Sequence, residues 1–324
     1  MVRKTPAAVS GLAVLALAAL TLVGCSAGAP AACDRPAVSD PVVMDLITVS
    51  GDADEAPEID IPTPLRLVEG GYHDVITGEG TPLTAPSQLS VLDITLVNGA
   101  TGETIVQAPS ETDLTAVFPT SAITDIIPAF ESALQCATEG SRVVVALAPG
   151  DMSADLMTRF GLAEDDSAVA VIDVRKVYLP RAEGTLQFNS GNGLPSISRA
   201  PDGRPGISFP DAAAPTDLVI QTLIKGDGDV VTGDAPVRVH YSGAVWGADE
   251  TFDSSWDGEG RSLTLDGVVP GFAAALEGQT VGSQVMVVVP PDQGYGDQAQ
   301  GSIPAGSTLV FVIDILGLDA AATQ

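Results

Sequence analysis

Few side chains in this sequence of 324 residues can do covalent chemistry. It holds two histidines, His73 and His240, and three cysteines, Cys25, Cys33 and Cys136, with no Cys-x-x-Cys spacing. A zinc centre or a cysteine nucleophile is therefore disfavoured, and no Ser/His/Asp constellation stands out. The last third of the chain offers a different set: Tyr241, Phe252, Val268, Val269, Phe272, Tyr295, Ile303 and Phe311, with a carboxylate at Asp253 beside Phe252. Side chains of these types enclose and desolvate a ligand, while the phenols and the carboxylate supply hydrogen bonds. Any one of these rings is ordinary core material; the set is singled out only by the family resemblance given below.

Such a set needs a frame. VRVHYSG (237–243) alternates apolar and polar residues and reads as a half-buried strand ending at Gly243. QVMVVVPP and TLVFVIDILGL are β-branched runs bounded by Pro and Gly. PGFAAALEGQ reads as one short helix, with Pro270 in its first turn and Gly278 near its end. Many strands with one helix covering a sheet face make an α+β design.

The frame is written twice. APEIDIP (56–62) lies over RPGISFP (204–210), and GEG (78–80) over GDG (226–228). IIPAFESALQCATEGSRVVVALAP (126–149) lies over VVPGFAAALEGQTVGSQVMVVVPP (268–291), and DSAVAVIDV (166–174) over STLVFVIDI (307–315). Several matches in one order imply two copies of one domain, at 40–180 and 195–319. A Gly-, Ser- and Pro-rich stretch from 181, assigned as a linker over 181–194, joins them. Residues 320–324 are a tail.

VRVHYSG, ETFDSSW, VVPGFAAALEGQTVGS, PPDQGYG and SIPAGSTLVFVIDIL follow the order and spacing of the FKBP-type peptidyl-prolyl cis/trans isomerases, which the second copy resembles over about 95 residues. The resemblance implies two domains, each an antiparallel twisted sheet wrapped on one short helix. It implies a pocket walled by Tyr241, Phe252, Val268, Val269, Ile303 and Phe311, with Phe272 as its floor. The Val269 N–H and the Tyr295 hydroxyl would hold the carbonyls flanking a proline. Asp253 would accept a hydrogen bond from Tyr241, or else make a local turn bond within FDSS. No cofactor and no metal is implied; unfolded or proline-containing polypeptides are, and so are macrolide inhibitors. The sequence departs from the family at Phe272, usually Trp, at the polar Arg261 and Ser262, and at Ser302, which bear on substrate preference and macrolide affinity. Trp256 supplies either extra aromatic surface at the rim or a loop anchor.

By repeat register the first copy has lost this set. Tyr241 falls on Asp93, Phe252 near Thr104 or Ile105, Asp253 near Val106, and Phe311 on Ala170. GDMSADLM has no counterpart of Tyr295, and only Phe130, opposite Phe272, keeps its ring. The first copy is expected to fold similarly and to isomerise poorly or not at all. Phe118 and Phe160 belong to its core or to a different surface.

The chain begins with a basic Arg3-Lys4 pair and the apolar stretch GLAVLALAALTLVG, too short for a typical span of about 20 residues. Leu22-Val23-Gly24-Cys25 resembles a bacterial lipobox. The expectation is a signal peptide over 1–24, a diacylglyceryl anchor at Cys25, a linker over 25–39, and an extracytoplasmic protein held to the bacterial cell membrane; the alternative is an ordinary secretory signal. In an exported chain the remaining Cys33 and Cys136 suggest one disulfide, closing a loop of about 100 residues at a gain of up to roughly 4–5 kcal/mol; two free thiols are the alternative. A net charge of −28 argues against a nucleic-acid partner, which clustered Lys and Arg would have to meet. The functional expectation is an isomerase acting on X–Pro bonds of exported proteins. The competing readings are a non-enzymatic chaperone or peptide-binding lipoprotein, and a first copy that merely spaces the second from the membrane.

Overall fold

Two sheets of like order carry the chain. The computed structural model describes residues 33, 35, 41–52, 55–107, 114–189 and 191–320. The signal segment 1–24, Cys25, most of 25–39 and the end of the tail lie outside the described residues. Among the described residues no helix is long and apolar enough to cross a membrane.

The first sheet runs, in spatial order, Gly71–Ile76, Arg142–Leu147, Ala168–Val177, Leu89–Asn98 and Thr104–Val106, all antiparallel. The second runs Val219–Lys225, Gln284–Val289, Leu309–Leu318, Val237–Val245 and Thr251–Ser254, again antiparallel. Each presents alternate residues to two apolar layers, as the period-2 pattern requires. In the second sheet Val285, Val287, Val289, Leu309, Phe311 and Ile313 pack with Phe272, Ala275 and Leu276 of the single α-helix there, Pro270–Leu276. Val288, Met286, Val310 and Val312 face the other way, onto Ile197 and Ile207 of a hairpin, Ser196–Arg199 with Pro205–Ser208. The first sheet is likewise backed by a hairpin, Thr48–Ser50 with Glu58–Asp60.

The helix Pro270–Leu276 starts where Pro270 can lose no ladder hydrogen bond, and Gly278 (φ +74°) follows its end in the left-handed conformation. The first half departs from the expected single helix. It has Pro41–Met44, Ser121–Thr124, Ala129–Leu134 and Ala154–Arg159. The last is capped by Ser153, whose Oγ accepts from the N–H of Leu156, and it buries Leu156 and Met157. Good helix formers in SADLMTR thus build a helix where the second half has the loop bearing Tyr295.

The interval 181–194 is not a free tether. Thr185–Leu186 adds a strand to the edge of the second sheet, with Leu186 opposite Ile224. Just before it, Tyr178 is fully buried in a small cluster with Leu89 of the first sheet and Leu316 of the second. The guanidinium of Arg238 lies 5.3 Å from its ring centre, and a Cβ at Gly317 would come within 2.6 Å of the Tyr178 ring. From Cys33 onward the described chain is therefore one compact unit, not two bodies on a string. A Cys33–Cys136 disulfide ties the N-terminal end of that unit to the first half.

Candidate active site

The strand Val237–Val245 is the backbone of the site. It runs past Gly243, which is interior to the strand and not its end. Gly243 faces Phe311 on one neighbouring strand and Asp253 on the other. A Cβ there would lie 2.7 Å from Phe252 Cζ and 2.8 and 2.9 Å from Phe311 Cε1 and Cδ1, closer than real side chains pack. The glycine makes room for both rings. It was missed as a site residue because a glycine in a strand usually marks a bulge or an end; its only signal is its place amid the aromatic set.

Four of the expected rings form one array. Phe272 and Phe311 meet edge to face at 5.1 Å (82°), Phe252 and Phe311 at 5.7 Å (89°), and Tyr241 and Phe272 at 5.9 Å (87°). Quadrupole electrostatics favours these tilted contacts over flat stacking. Phe272, Phe311 and Ile303 are buried, and Val268, Val269, Tyr241 and Phe252 are half-buried against the same cluster. Tight bonds between Gln300 and Ile303 turn the Ile303 loop inward (2.9 Å in both directions). Tyr295, in the loop that follows Pro291–Gln293, is 37% exposed. Ser302, Arg261 and Ser262 are exposed.

Hydrogen-bonding groups edge this cup. The Tyr241 hydroxyl donates to Asp253 Oδ2. Burial, then the neighbouring carboxylate, push the Tyr241 hydroxyl up to about 12, so it stays a donor at any working pH. Val269 is the N-cap of the helix, and its carbonyl accepts from the N–H groups of Phe272 and Ala273. Its own N–H lies ahead of the intrahelical ladder.

Trp256 is placed on the other side. It stacks on His240 (centroids 4.5 Å apart, 20° between planes), and His240 precedes Tyr241 on the strand, so the two face opposite ways. Trp256 is thus a loop anchor behind the sheet and adds nothing to the pocket rim. Burial pushes His240 down to about 4. Directly across the ladder from it, Asp314 is buried, accepts from Gln284 Nε2 (2.7 Å) and the N–H of Ala182 (2.8 Å), and is pushed up to about 6 by burial.

These two groups pull stability in opposite directions with pH. Folded Asp314 holds its proton more tightly than its ordinary value of 3.8 allows, so acidification from 6 to 4 favours the folded state. Folded His240 resists protonation below its ordinary 6.5, so the same acidification favours unfolding. Asp314→Asn removes the first contribution alone. Beyond a pH-independent loss, its melting temperature should fall further below that of the unmutated chain as pH drops from 6 to 4, by the equivalent of roughly 2–3 kcal/mol. Parallel melting curves across that range would contradict the assignment.

The first half has no such cup. Ladder register equates Asp173 with Asp314 and Ala170 with Phe311, so Tyr241 corresponds to Ile94, one residue beyond the expected Asp93, which stands in the place of His240. The segment leading into that strand is one residue longer in the first half, and the uninterrupted repeat register overlooks this. Phe252 corresponds to Ile105 and Asp253 to Val106, as the repeat spacing indicates. Gly243 corresponds to Leu96, which is buried (2% exposed) opposite Ala170. A large residue on one strand and a small one on its neighbour exchange places, and the slot is filled. Phe118 and Phe160 both pack against the first core.

An aromatic cup with a hydroxyl–carboxylate pair and a helix-start N–H on its edge defines a protein that works by enclosing an apolar group beside an amide. The profile of the family described as FKBP-type peptidyl-prolyl cis-trans isomerase matches residues 227–316. The chain is 38% identical over 114 residues to "Probable FK506-binding protein" of Corynebacterium glutamicum, covering 97% of that protein and 35% of this chain. It is 33% identical over 121 residues to "FK506-binding protein" of Streptomyces anulatus, covering 97% of that protein and 36% of this chain. Among solved structures, FkpA from Escherichia coli aligns at 29% identity with a TM-score of 0.31, over 41% of this chain and 54% of that one. The chain belongs to the FKBP-type peptidyl-prolyl cis-trans isomerases.

Proposed function

We propose that residues 195–319 isomerise X–Pro bonds of exported polypeptides in the cup between Phe272 and the sheet. The observation that carries this is the four-ring array of Tyr241, Phe252, Phe272 and Phe311. Rotation about a prolyl amide faces a barrier of about 18–20 kcal/mol, held up by resonance. The twisted amide is less dipolar than the planar one, so removing it from water favours the twist. Phe272 forms the floor, and Tyr241, Phe252, Val268, Val269, Ile303 and Phe311 form the walls. The Val269 N–H and Tyr295 hydroxyl hold the flanking carbonyls, and Asp253 orients Tyr241. A thousandfold acceleration asks about 4 kcal/mol of these contacts.

The substrate class and setting belong to the same reading. Proline-containing polypeptides fit the cup; macrolides fit it too, with affinity set by Phe272 and the polar Ser302 beside Ile303. Arg3-Lys4, the apolar stretch and Cys25 support an exported, lipid-anchored protein. The matching strand orders support two FKBP-like domains at 40–180 and 195–319. In the first of these, Leu96 fills the slot, which favours a binding, chaperone-like or spacing role there over isomerisation.

The test is a protease-coupled assay of the full chain on an Ala-Pro-Phe peptide. Acceleration is expected, and Tyr295→Phe should lower kcat/KM about five- to tenfold, the loss of one hydrogen bond to the twisted amide. No acceleration at micromolar protein would end the proposal.

A further inference from the structure

The Tyr241–Asp253 pair on the pocket wall is held from behind by a residue without an assigned role. The ladder between Val237–Val245 and Thr251–Ser254 has Ser242 opposite Ser254, which puts Ser255 opposite Tyr241. Ser255 is buried (4% exposed). Its N–H donates to the Tyr241 carbonyl (3.1 Å), and its Oγ accepts from the Tyr241 N–H (2.9 Å). The side-chain oxygen stands where the next ladder carbonyl would be, so Ser255 grips both backbone groups of Tyr241. Asp253 lies two residues earlier on the same segment, so one residue sets both ends of the hydroxyl–carboxylate pair.

Besides accepting from the Tyr241 N–H, the Ser255 hydroxyl shares a hydrogen bond with His240 Nδ1, 3.1 Å away. Burial keeps that imidazole neutral, so one ring nitrogen donates and the other accepts. Trp256 stacks on a face of the imidazole. Arg204 Nη2 donates to the Trp256 carbonyl (2.8 Å) and to Asp257 Oδ1 (2.6 Å). A Cβ at Gly203 would meet Trp256 Cη2 at 3.2 Å. The turn of the backing hairpin thus lies against Trp256, Trp256 stacks on His240, and His240 hydrogen-bonds the serine.

We infer that Ser255 is a positioning residue for prolyl isomerisation, fixing the Tyr241–Asp253 pair at the pocket wall, with the His240–Trp256 stack and the 200–204 turn as its brace. The inference rests on the site proposed above. A serine that only completes a strand would cost stability when truncated. A serine that positions the pair costs turnover as well, and only while Tyr241 has a hydroxyl to place.

A double-mutant cycle in the full chain separates these. Ser255→Ala should lower kcat/KM about tenfold with most of the loss in kcat, and Ser255→Thr, which keeps the Oγ, should restore it to within about twofold. In a Tyr241→Phe background the same Ser255→Ala change should cost less than about twofold. Trp256→Leu, which leaves the serine and its hydrogen bonds in place, should show a smaller loss with the same dependence on Tyr241 and keeps the test open if Ser255→Ala fails to fold. Unchanged turnover in both variants, or equal losses with and without the Tyr241 hydroxyl, overturns the inference. An inactive unmutated chain would instead defeat the site assignment itself.

Discussion

Gly243→Leu should reduce prolyl-isomerase kcat/KM by at least about a hundredfold. A single β-carbon at this position already comes within 2.9 Å or less of three ring atoms of Phe252 and Phe311, and an isobutyl group must push both rings aside. The edge-to-face contact between those rings, and the contacts of Phe311 with Phe272 and Tyr241, depend on their present places. Misplacing reacting or binding groups by about an ångström is enough to cost two orders of magnitude. The first sheet shows the outcome in a folded state, since Leu96 occupies the equivalent position beside Ala170. The protease-coupled assay reads the effect directly, and a Gly243→Leu chain that keeps more than about a tenth of its activity would refute the role given to the glycine.

Phe311→Ala should cost both stability and turnover. Phe311 is 5% exposed and touches the other three rings of the array, so its truncation leaves a cavity and should destabilise by about 3–5 kcal/mol. The loss of a pocket wall should lower kcat/KM by about a hundredfold. Combining it with Gly243→Leu installs the pair that the first sheet carries, Leu opposite Ala. The double variant should recover part of the stability, since the leucine fills the vacated space, while its activity stays lost. Denaturant midpoints and turnover measured on the same preparations check this. Recovered activity in the double variant would mean that the aromatic wall is dispensable.

Much of the site was legible from residue order. The helix at 270–276 was marked by Pro270 and Gly278, whose backbone preferences are local. Strands at 284–289 and 309–318 were marked by β-branched runs. The aromatic set could be picked out because the family's spacing is kept over one continuous stretch, and the family relation rests on that same stretch. The corresponding order of strands in the two halves was foreshadowed by matches at nearly constant offset.

Other features needed the fold. Strand register is settled by pairing, and one residue of slip turns every side chain to the other face. That is why Tyr241 corresponds to Ile94 and not Asp93, and why Trp256, near Phe252 in sequence, lies behind the sheet on His240. Gly243 acquires its meaning only when Phe252 and Phe311, from two different strands, converge on its missing side chain. The interval after 181 looked like a linker because its composition is polar and flexible, yet Thr185–Leu186 binds it to the second sheet. Periodicity and turn chemistry are properties of neighbours in sequence, and they specified the elements, while the family resemblance supplied the residues of the pocket. Which rings meet, which slot is filled and which serine holds the wall are set by contacts between strands far apart in sequence, where only packing in three dimensions decides.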